Sequence, residues 1–495
     1  MSRIIIQNGN MCELDLPLKF AQKLYNEFAI RHPNAFYLRT RQRGMQNWDG
    51  KIHYITKTGQ FKIGLLPKVY DMCIEMGIKP KVVDMRQPLP KVSKVVTNIG
   101  KYKLRPEQEK AVKAVINNKI GNTPFHIGVL DYTVNAGKTL IMSSLYLSYK
   151  KQLKTLLITN DSDWLNQARE EFKQYLPGED ITFVQGKVLN WSNFTIGMVQ
   201  SISRNMRFYQ KELSQIDMVL IDEADQGGSK QYQNVITRLF NTRIRIGLSG
   251  TIYMSKLAKD RVKNMNLECF FGKVIAEFKL KDSIKKGYST KTVVKMVPGK
   301  PWYGNWESDC ISYKEIYDDS ITENNTAWTM AYNRLRWNIN QGRYPALVVC
   351  KHIAHCENLY KFFKKKLGDA YNIAYVHVNT PSKLRQQIMK DFREGKIDIL
   401  VSTTIIARGK NFPKLRYLLN AASMDSQEKS IQFLGRLVRT DKSKKKVYLD
   451  DLHYPGPYLD RHGKHRKQYY QRQELKVILL DKLWKKHPNH SLIKS

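Results

Sequence analysis

The residues best suited to chemistry fall in three short runs, each with a charge arrangement that phosphate chemistry uses. The first is Thr133-Val134-Asn135-Ala136-Gly137-Lys138-Thr139, between the apolar runs Ile127–Leu130 and Leu140–Leu147. A strand, a short loop and a helix opening on Lys-Thr is the setting in which backbone N–H groups and a helix N-terminus hold phosphate oxygens. In that reading Asn135, Ala136 and Gly137 line the anion. Lys138 reaches the β/γ-phosphates of ATP, and the Thr139 hydroxyl ligates Mg²⁺. The full pattern has a second glycine five residues before Gly137, where this chain has Tyr132. The second run, Asp222-Glu223-Ala224-Asp225, follows the apolar Met218–Ile221. An acid at a strand's carboxyl end can hold a metal, and a neighbouring glutamate can orient and deprotonate an attacking water. Such acids are also ordinary in a first helical turn. The third run ends Gly435-Arg436-Leu437-Val438-Arg439. If it is helical, Arg436 and Arg439 share a face, and a guanidinium stabilises charge on a transferring phosphoryl group. A solvated basic helix is the plain alternative.

These runs need a scaffold, and the apolar pattern supplies one. Ile127–Leu130, Thr155–Thr159, Ile196–Val199, Met218–Ile221 and Ile244–Leu248 form one series of short apolar runs. Ala346–Cys350, Ile373–His377, Ile397–Val401, Tyr417–Asn420 and Val447–Leu449 form another. Buried strands alternating with helical segments indicate an α/β fold of parallel sheets. The two series predict two tandem doubly wound domains separated by the polar stretch Lys281–Asn325. Ligands are then expected at the carboxyl ends of the strands, with a cleft between the domains. The boundaries read as a small accessory domain (1–90), a first doubly wound domain that binds ATP (91–285), a second (286–455) and a basic tail (456–495). Lys79–Lys94, with Pro80, Pro88 and Pro90, reads as a linker. In the tail, Leu475, Ile478, Leu479 and Leu483 predict a helix over Gln468–Lys486.

Composition narrows the partner. The 495 residues include 83 Lys+Arg against 44 Asp+Glu, a net charge of +39, which calls for a polyanion. Hydrophobic residues at 42% and charged ones at 26% exclude wholesale disorder. No apolar stretch approaches the ~18 residues needed to span a bilayer. The N-terminus has no signal-peptide core, and six cysteines are too sparse for a disulfide framework. A reduced, cytoplasmic protein is expected.

Taken together, the motifs resemble those of superfamily 2 helicases and translocases over roughly residues 100–450. Leu104-Arg105-Pro106-Glu107-Gln108 sits where that family places a Gln that reads adenine. Thr159 through Gln167 and Val199-Gln200-Ser201 resemble motifs after the second strand and at the DNA. Ser249-Gly250-Thr251 resembles the coupling motif. Ser402-Thr403-Thr404 with Arg408-Gly409-Lys410-Asn411-Phe412-Pro413 resembles the motif joining nucleotide and nucleic-acid sites. The resemblance implies ATP and Mg²⁺, with Lys138, Asp222, Glu223, Arg436 and Arg439 catalytic. It implies nucleotide contacts from Gln108 and Gly409, and nucleic-acid contacts from Gln200, Ser201, Thr403 and Asn411. The letters Asp-Glu-Ala-Asp invite the DEAD-box RNA helicases. That group, however, has Ser-Ala-Thr in place of Ser249-Gly250-Thr251 and a Gly in place of Val438. The match is closer to phage UvsW-type recombination helicases. It extends to Arg39, Arg41 and Arg43, to Asn47-Trp48-Asp49-Gly50-Lys51 and to Gly64-Leu65-Leu66-Pro67 in the accessory domain.

On an extended segment, Arg39, Arg41 and Arg43, with Trp48 and Lys51, would bind backbone phosphates without reading sequence; Trp48 has an alternative as a core aromatic. Cys350, His352, His355 and Cys356 lie too close together to close a zinc tetrahedron and read as structural. Trp302, Tyr303 and Trp306 read as local packing or as an aromatic wedge. The tail segment Arg461–Lys467 reads as a backbone-tracking or merely solvated run. The expected activity is ATP-driven unwinding or branch migration of forked DNA by a monomer, in the host cytoplasm if phage-encoded. A restriction-system motor, an RNA helicase and a binding protein with a dead nucleotide site are the rivals.

Overall fold

The computed structural model describes residues 2–41, 44–149, 152–186, 190–252, 260–299, 312–407 and 412–480, without the side chains of 163, 407, 427 and 428. The chain divides into two compact units, Met1–Phe278 and Lys279–Ser495.

The first unit is built on a seven-stranded parallel sheet. Its strands stand in the order Ile181–Val184, Phe194–Met198, Thr155–Thr159, Met218–Asp222, Ile244–Ser249, His126–Tyr132 and Val274–Phe278. Four of these strands are buried at every position. That is why they read as continuous apolar runs: helices cover both faces, so neither face is left for polar residues. Asp131 lies opposite Ser249, and Asp222 opposite Leu248. Three neighbouring strands therefore end at one level and deliver the phosphate-loop, acidic and Ser249-Gly250-Thr251 segments side by side.

The N-terminal residues form a four-stranded sheet, Gln60–Lys62, Met11–Asp15, Arg3–Ile6 and Lys81–Asp84, with helices Leu18–Glu27 and Leu66–Glu75. The supposed linker thus contains a strand, because Val82 and Val83 pair with Ile4 and Ile5 in register. This region shares one hydrophobic core with the motor sheet. Arg245, on a central strand and fully buried, donates to Gly9 O at 2.6 Å, Asn10 Oδ1 at 2.8 Å and Phe270 O at 3.2 Å. Gly64 lies so close to the helix Arg261–Phe271 that a Cβ there would sit 2.1 Å from Glu268 O.

The second unit has its own parallel seven-stranded sheet, in the order Ile373–Val376, Ile399–Ser402, Ala346–Val349, Tyr417–Asn420, Lys446–His453, Lys291–Pro298 and Val477–Leu479. Numbered along the chain within each sheet, both run third, fourth, second, fifth, sixth, first, seventh. The tail departs from the expected helix over Gln468–Lys486. A helix spans Leu459–Arg472, and Val477–Leu479 is an edge strand paired with Val294–Met296. The 3–4 spacing of the leucines loses to the open sheet edge, whose backbone groups the β-branched Val477 and Ile478 satisfy; Leu483 lies outside the described residues. Within the basic run, Arg466 is buried rather than solvated. Its Nε donates to Asp451 at 2.9 Å and its other nitrogens to Met424 O at 3.0 Å and Leu452 O at 2.9 Å. Among the described residues no helix is long and apolar enough to cross a membrane.

Candidate active site

The phosphate loop begins where the strand His126–Tyr132 ends. Tyr132, in place of the second glycine, is the last residue of that strand. It is fully buried, donates its hydroxyl to Glu107 O at 2.8 Å and lies against Phe278. The turn itself needs left-handed backbone at Asn135 (φ 65°) and Gly137 (φ 73°) only. A Cβ on Gly137 would meet Gln108 Nε2 at 2.3 Å, so both conformation and space require glycine there. Gln108 and Arg105 hold the loop from behind. Gln108 Nε2 donates to Ala136 O at 2.8 Å, and Arg105 Nη2 to Asn135 O at 3.1 Å. The Gln108 carbonyl accepts from Arg105 N at 2.9 Å. Gln108 is thus fully buried with both ends engaged, a brace for the loop. The helix Lys138–Ser148 opens directly after Gly137, and its N-terminal N–H groups face the loop.

Asp222 closes the strand Met218–Asp222, and Lys138 Nζ lies 3.8 Å from its Oδ1. Burial holds the Asp222 carboxyl above the usual carboxylate range, opposed by Lys138. Glu223 follows with φ 53°, a left-handed conformation costing about 1–3 kcal/mol in a residue with a side chain. Its carboxyl is pushed up to about 8 by burial and by the nearby Asp222 and Asp225 carboxylates. Asp225 accepts from the Ser249 hydroxyl at 2.6 Å, and Ser249 Oγ accepts from Thr251 N at 3.1 Å. The Ser249-Gly250-Thr251 segment therefore reads the acidic turn directly.

Two residues that sequence reasoning missed extend this network. Gln226 donates to Glu223 Oε2 at 3.4 Å and accepts from Asn160 Nδ2; Asn160 O in turn accepts from Gln200 Nε2 at 3.3 Å. Nothing in their spacing pairs them, since they follow two separate strands, Thr155–Thr159 and Met218–Asp222. Ser201 Oγ accepts from Gly186 N at 2.9 Å. Both residues of the expected DNA-facing pair are thus engaged within the fold.

The donor set fits a hard divalent cation. Among the described residues Asp222 Oδ1 is buried with no hydrogen-bond donor, and Thr139 stands second in the adjacent helix with a hydroxyl oxygen. Burial raises the proton affinity of both acids; Asp222 is the one with a buried oxygen suited to a metal, and Glu223 the one crowded by two neighbouring carboxylates.

In the second unit Ser402 and Thr403 are buried at the end of the strand Ile399–Ser402, and Thr403 N donates to Val376 O at 3.2 Å. Arg436 lies in the helix Gln427–Leu437, but Arg439 lies beyond its end. The two arginines therefore do not share a helical face. Thr290 explains the break, because its N–H takes Val438 O at 2.8 Å and its hydroxyl takes Arg439 O at 3.1 Å. Gly409 and Asn411 lie outside the described residues, as do Arg43 and Trp302, Tyr303 and Trp306.

In the N-terminal region Arg39 and Arg41 sit on the helix Ala35–Arg41, not on an extended segment, and Arg41 stacks over Tyr37 at 5.2 Å. Trp48 spends its indole N–H on Lys51 O at 2.9 Å, bracing the turn before Lys51–His53. Arg31, Arg39, Lys51 and the exposed Phe36 line a cavity of about 520 Å³. Cys350, His355 and Cys356 are buried in the core of the second unit.

Two parallel sheets of one topology, the first with a phosphate-loop turn beside a crowded acidic turn, define a tandem RecA-like nucleotide-driven motor. Residues 101–254 match the family described as Type III restriction enzyme, res subunit, and residues 331–441 match the Helicase conserved C-terminal domain. The chain belongs to the superfamily 2 ATP-dependent helicases. It is 22% identical to the ATP-dependent DNA helicase uvsW of Enterobacteria phage T4 over 452 residues, 82% of each chain. It is 23% identical to a protein described as a helicase in Sulfolobus islandicus filamentous virus, over 71% of this chain and 64% of that one. The chain thus spans less than two thirds of that relative's length. Among solved structures, the ATP-dependent Type ISP restriction-modification enzyme LlaBIII bound to DNA superposes at TM-score 0.57 with 15% identity, over 82% of this chain and 34% of that one.

Proposed function

We propose that the chain is an ATP-driven DNA helicase or translocase that works on forked or branched DNA. The observation that carries the hydrolytic part is the convergence of Lys138, Asp222 and Glu223 at neighbouring strand ends, with Glu223 poised to take a proton. Asn135, Ala136, Gly137 and Lys138 hold the phosphates of ATP, while Thr139 and Asp222 hold Mg²⁺. The metal, when bound, neutralises charge on the phosphate oxygens. Glu223 orients a water and accepts its proton. Arg436 and Arg439 of the second unit supply positive charge to the same triphosphate, so that turnover needs both units. Gln108 acts by bracing the loop and Gln226 by holding Glu223. Gln200, Ser201, Thr403, Gly409 and Asn411 link turnover to the nucleic acid. Arg39, Arg41, Arg43 and Lys51 attract backbone phosphates without reading sequence. The choice of DNA rests on the phage relative, named as a DNA helicase, which aligns along most of both chains.

The test is ATP turnover of wild type, Lys138→Ala and Glu223→Gln, with and without a fork, a four-way junction, plain duplex and RNA duplex. Wild type is expected to turn over faster with forked or four-way DNA, and both variants to lose most of that turnover. Turnover indifferent to nucleic acid would remove the motor reading, and preference for RNA would overturn the substrate. The restriction family description and the LlaBIII likeness favour a second reading, a motor subunit of a restriction complex. Co-purification of a nuclease or methylase would support it.

A further inference from the structure

We propose that the second unit carries a further nucleic-acid site, a preorganised cation cluster around Trp337 and Tyr448 that takes the backbone of a second arm of the substrate. The inference rests on the nucleic-acid reading above and goes beyond it by assigning a separate surface. Trp337, 43% exposed, sits in the last turn of the helix Asn325–Asn340. Three cations surround its ring: Lys295 at 4.9 Å, Arg334 at 5.1 Å and Arg343 at 4.7 Å from the centroid. Arg343 also lies 3.6 Å over Tyr448, which Lys446 approaches at 5.6 Å. Lys291 pairs with Lys446, and Lys295 with Asp450, so strand alternation puts all these side chains on one face.

Apart from Arg334, the charges of this cluster are not cancelled by any described residue. Asp450, the carboxylate among them, is buried and occupied by Arg334 at 2.6 Å, Asn338 at 3.1 Å and the Tyr417 hydroxyl at 3.1 Å. Lys291, Lys295, Arg343 and Lys446 form no ion pair with any described residue. Burial and the neighbouring Arg334, Arg343 and Lys446 hold the Lys295 ammonium below the usual lysine range, against the pull of Asp450. Ring faces and the Arg343 bond to Asn338 Oδ1 at 2.9 Å fix the array, so its self-repulsion is relieved by binding an anion rather than by side chains swinging apart. Cations occupy the ring faces, which leaves backbone phosphates, rather than stacked bases, as the ligand.

Position separates this site from the motif loops. All strands of the sheet are parallel, and Thr403 follows the carboxyl end of Ile399–Ser402, whereas the helix Gln427–Leu437 runs back so that Arg439 O meets Thr290 beside Lys291. Lys291 and Lys446 are the first residues of eight-residue strands, so they lie at the opposite end from Thr403. At ~3.3 Å per residue that is on the order of 25 Å away. A straight single strand on the motif loops does not turn back over that distance, whereas one arm of a junction does.

The test uses the full chain carrying Lys291→Gln and Lys446→Gln, both exposed, with Lys291→Arg and Lys446→Arg as the charge-preserving control. Affinity is measured for a four-way junction and for a linear single strand across a salt series, beside ATP turnover stimulated by the single strand. The Gln variant is expected to lose about tenfold in junction affinity, with its salt slope shallower by about two counterions. Single-strand binding and stimulated turnover stay as in wild type, and the Arg control restores junction affinity. Unchanged junction affinity and slope, or an equal loss on the linear strand, would overturn the second site. Absence of DNA-stimulated turnover in wild type would instead sink the motor reading itself.

Discussion

The two units share a strand order but treat their buried acids in opposite ways. In the second unit each acid is answered in place. Asp450 meets Arg334, and Asp451 meets Arg466, the Tyr470 hydroxyl at 2.7 Å and Asn420 at 2.9 Å. In the first unit Asp222, Glu223 and Asp225 crowd together at strand ends, with Lys138 the cation at 3.8 Å from Asp222. Satisfied acids hold a fold together. Crowded, under-compensated ones hold a raised proton affinity and an open oxygen, which is what hydrolysis uses. The fold is the same; the site chemistry differs by which partners each sheet supplies.

That contrast can be broken most sharply by charge at the far end of the reaction. Arg436→Ala is expected to lower kcat for ATP hydrolysis by about 10³-fold or more, measured by phosphate release, with nucleotide binding retained. Wild-type turnover in that variant would confine the chemistry to the first unit. Glu223→Gln comes next, with an expected loss of about 10²–10⁴-fold in kcat and no loss of nucleotide affinity. For the structural acids the effect falls on stability instead. Arg466→Met leaves Asp451 buried and unpaired, and is expected to cost about 3–5 kcal/mol in urea unfolding. A variant as stable as wild type would show that the pairing is incidental.

The pH profile sharpens the catalytic side. As the proposed base Glu223 works deprotonated, and burial with its carboxylate neighbours pushes its carboxyl up to about 8, so kcat/KM of the free enzyme is expected to rise with pH and level above about 8. The Gln variant should lack that limb. The smallest expected effect belongs to Gln226→Ala. Removing a donor to the Glu223 carboxylate moves the limb to higher pH and lowers kcat by about two- to tenfold. A purely structural role for Gln226 would leave the limb where it was.

The strands, the phosphate turn and the acidic turn were legible because their signals are local. A run buried on both faces must be apolar along its length, and a left-handed turn restricts residue types within a few positions. The tail helix was misplaced for the complementary reason. Its apolar spacing suited a helix, but a sheet edge formed by residues almost two hundred positions earlier offered a better use. Arg39 and Arg41 read as an extended basic segment because alternation was the visible feature, while their helix shows one buried residue, Ala35.

By itself the sequence determined the class of machine: two parallel sheets, a phosphate-loop turn, an acidic turn at a strand end and an excess of positive charge suited to a polyanion. Tertiary structure alone decided what those parts touch. Arg245 joins the N-terminal region to the motor across 236 residues, Asn160 meets Gln226 across 66, and Arg334 meets Asp450 across 116. Strand and turn formation depend on neighbours within a few residues. Whether a buried charge is neutralised depends on which distant segment the packed core brings beside it, and no local pattern records that.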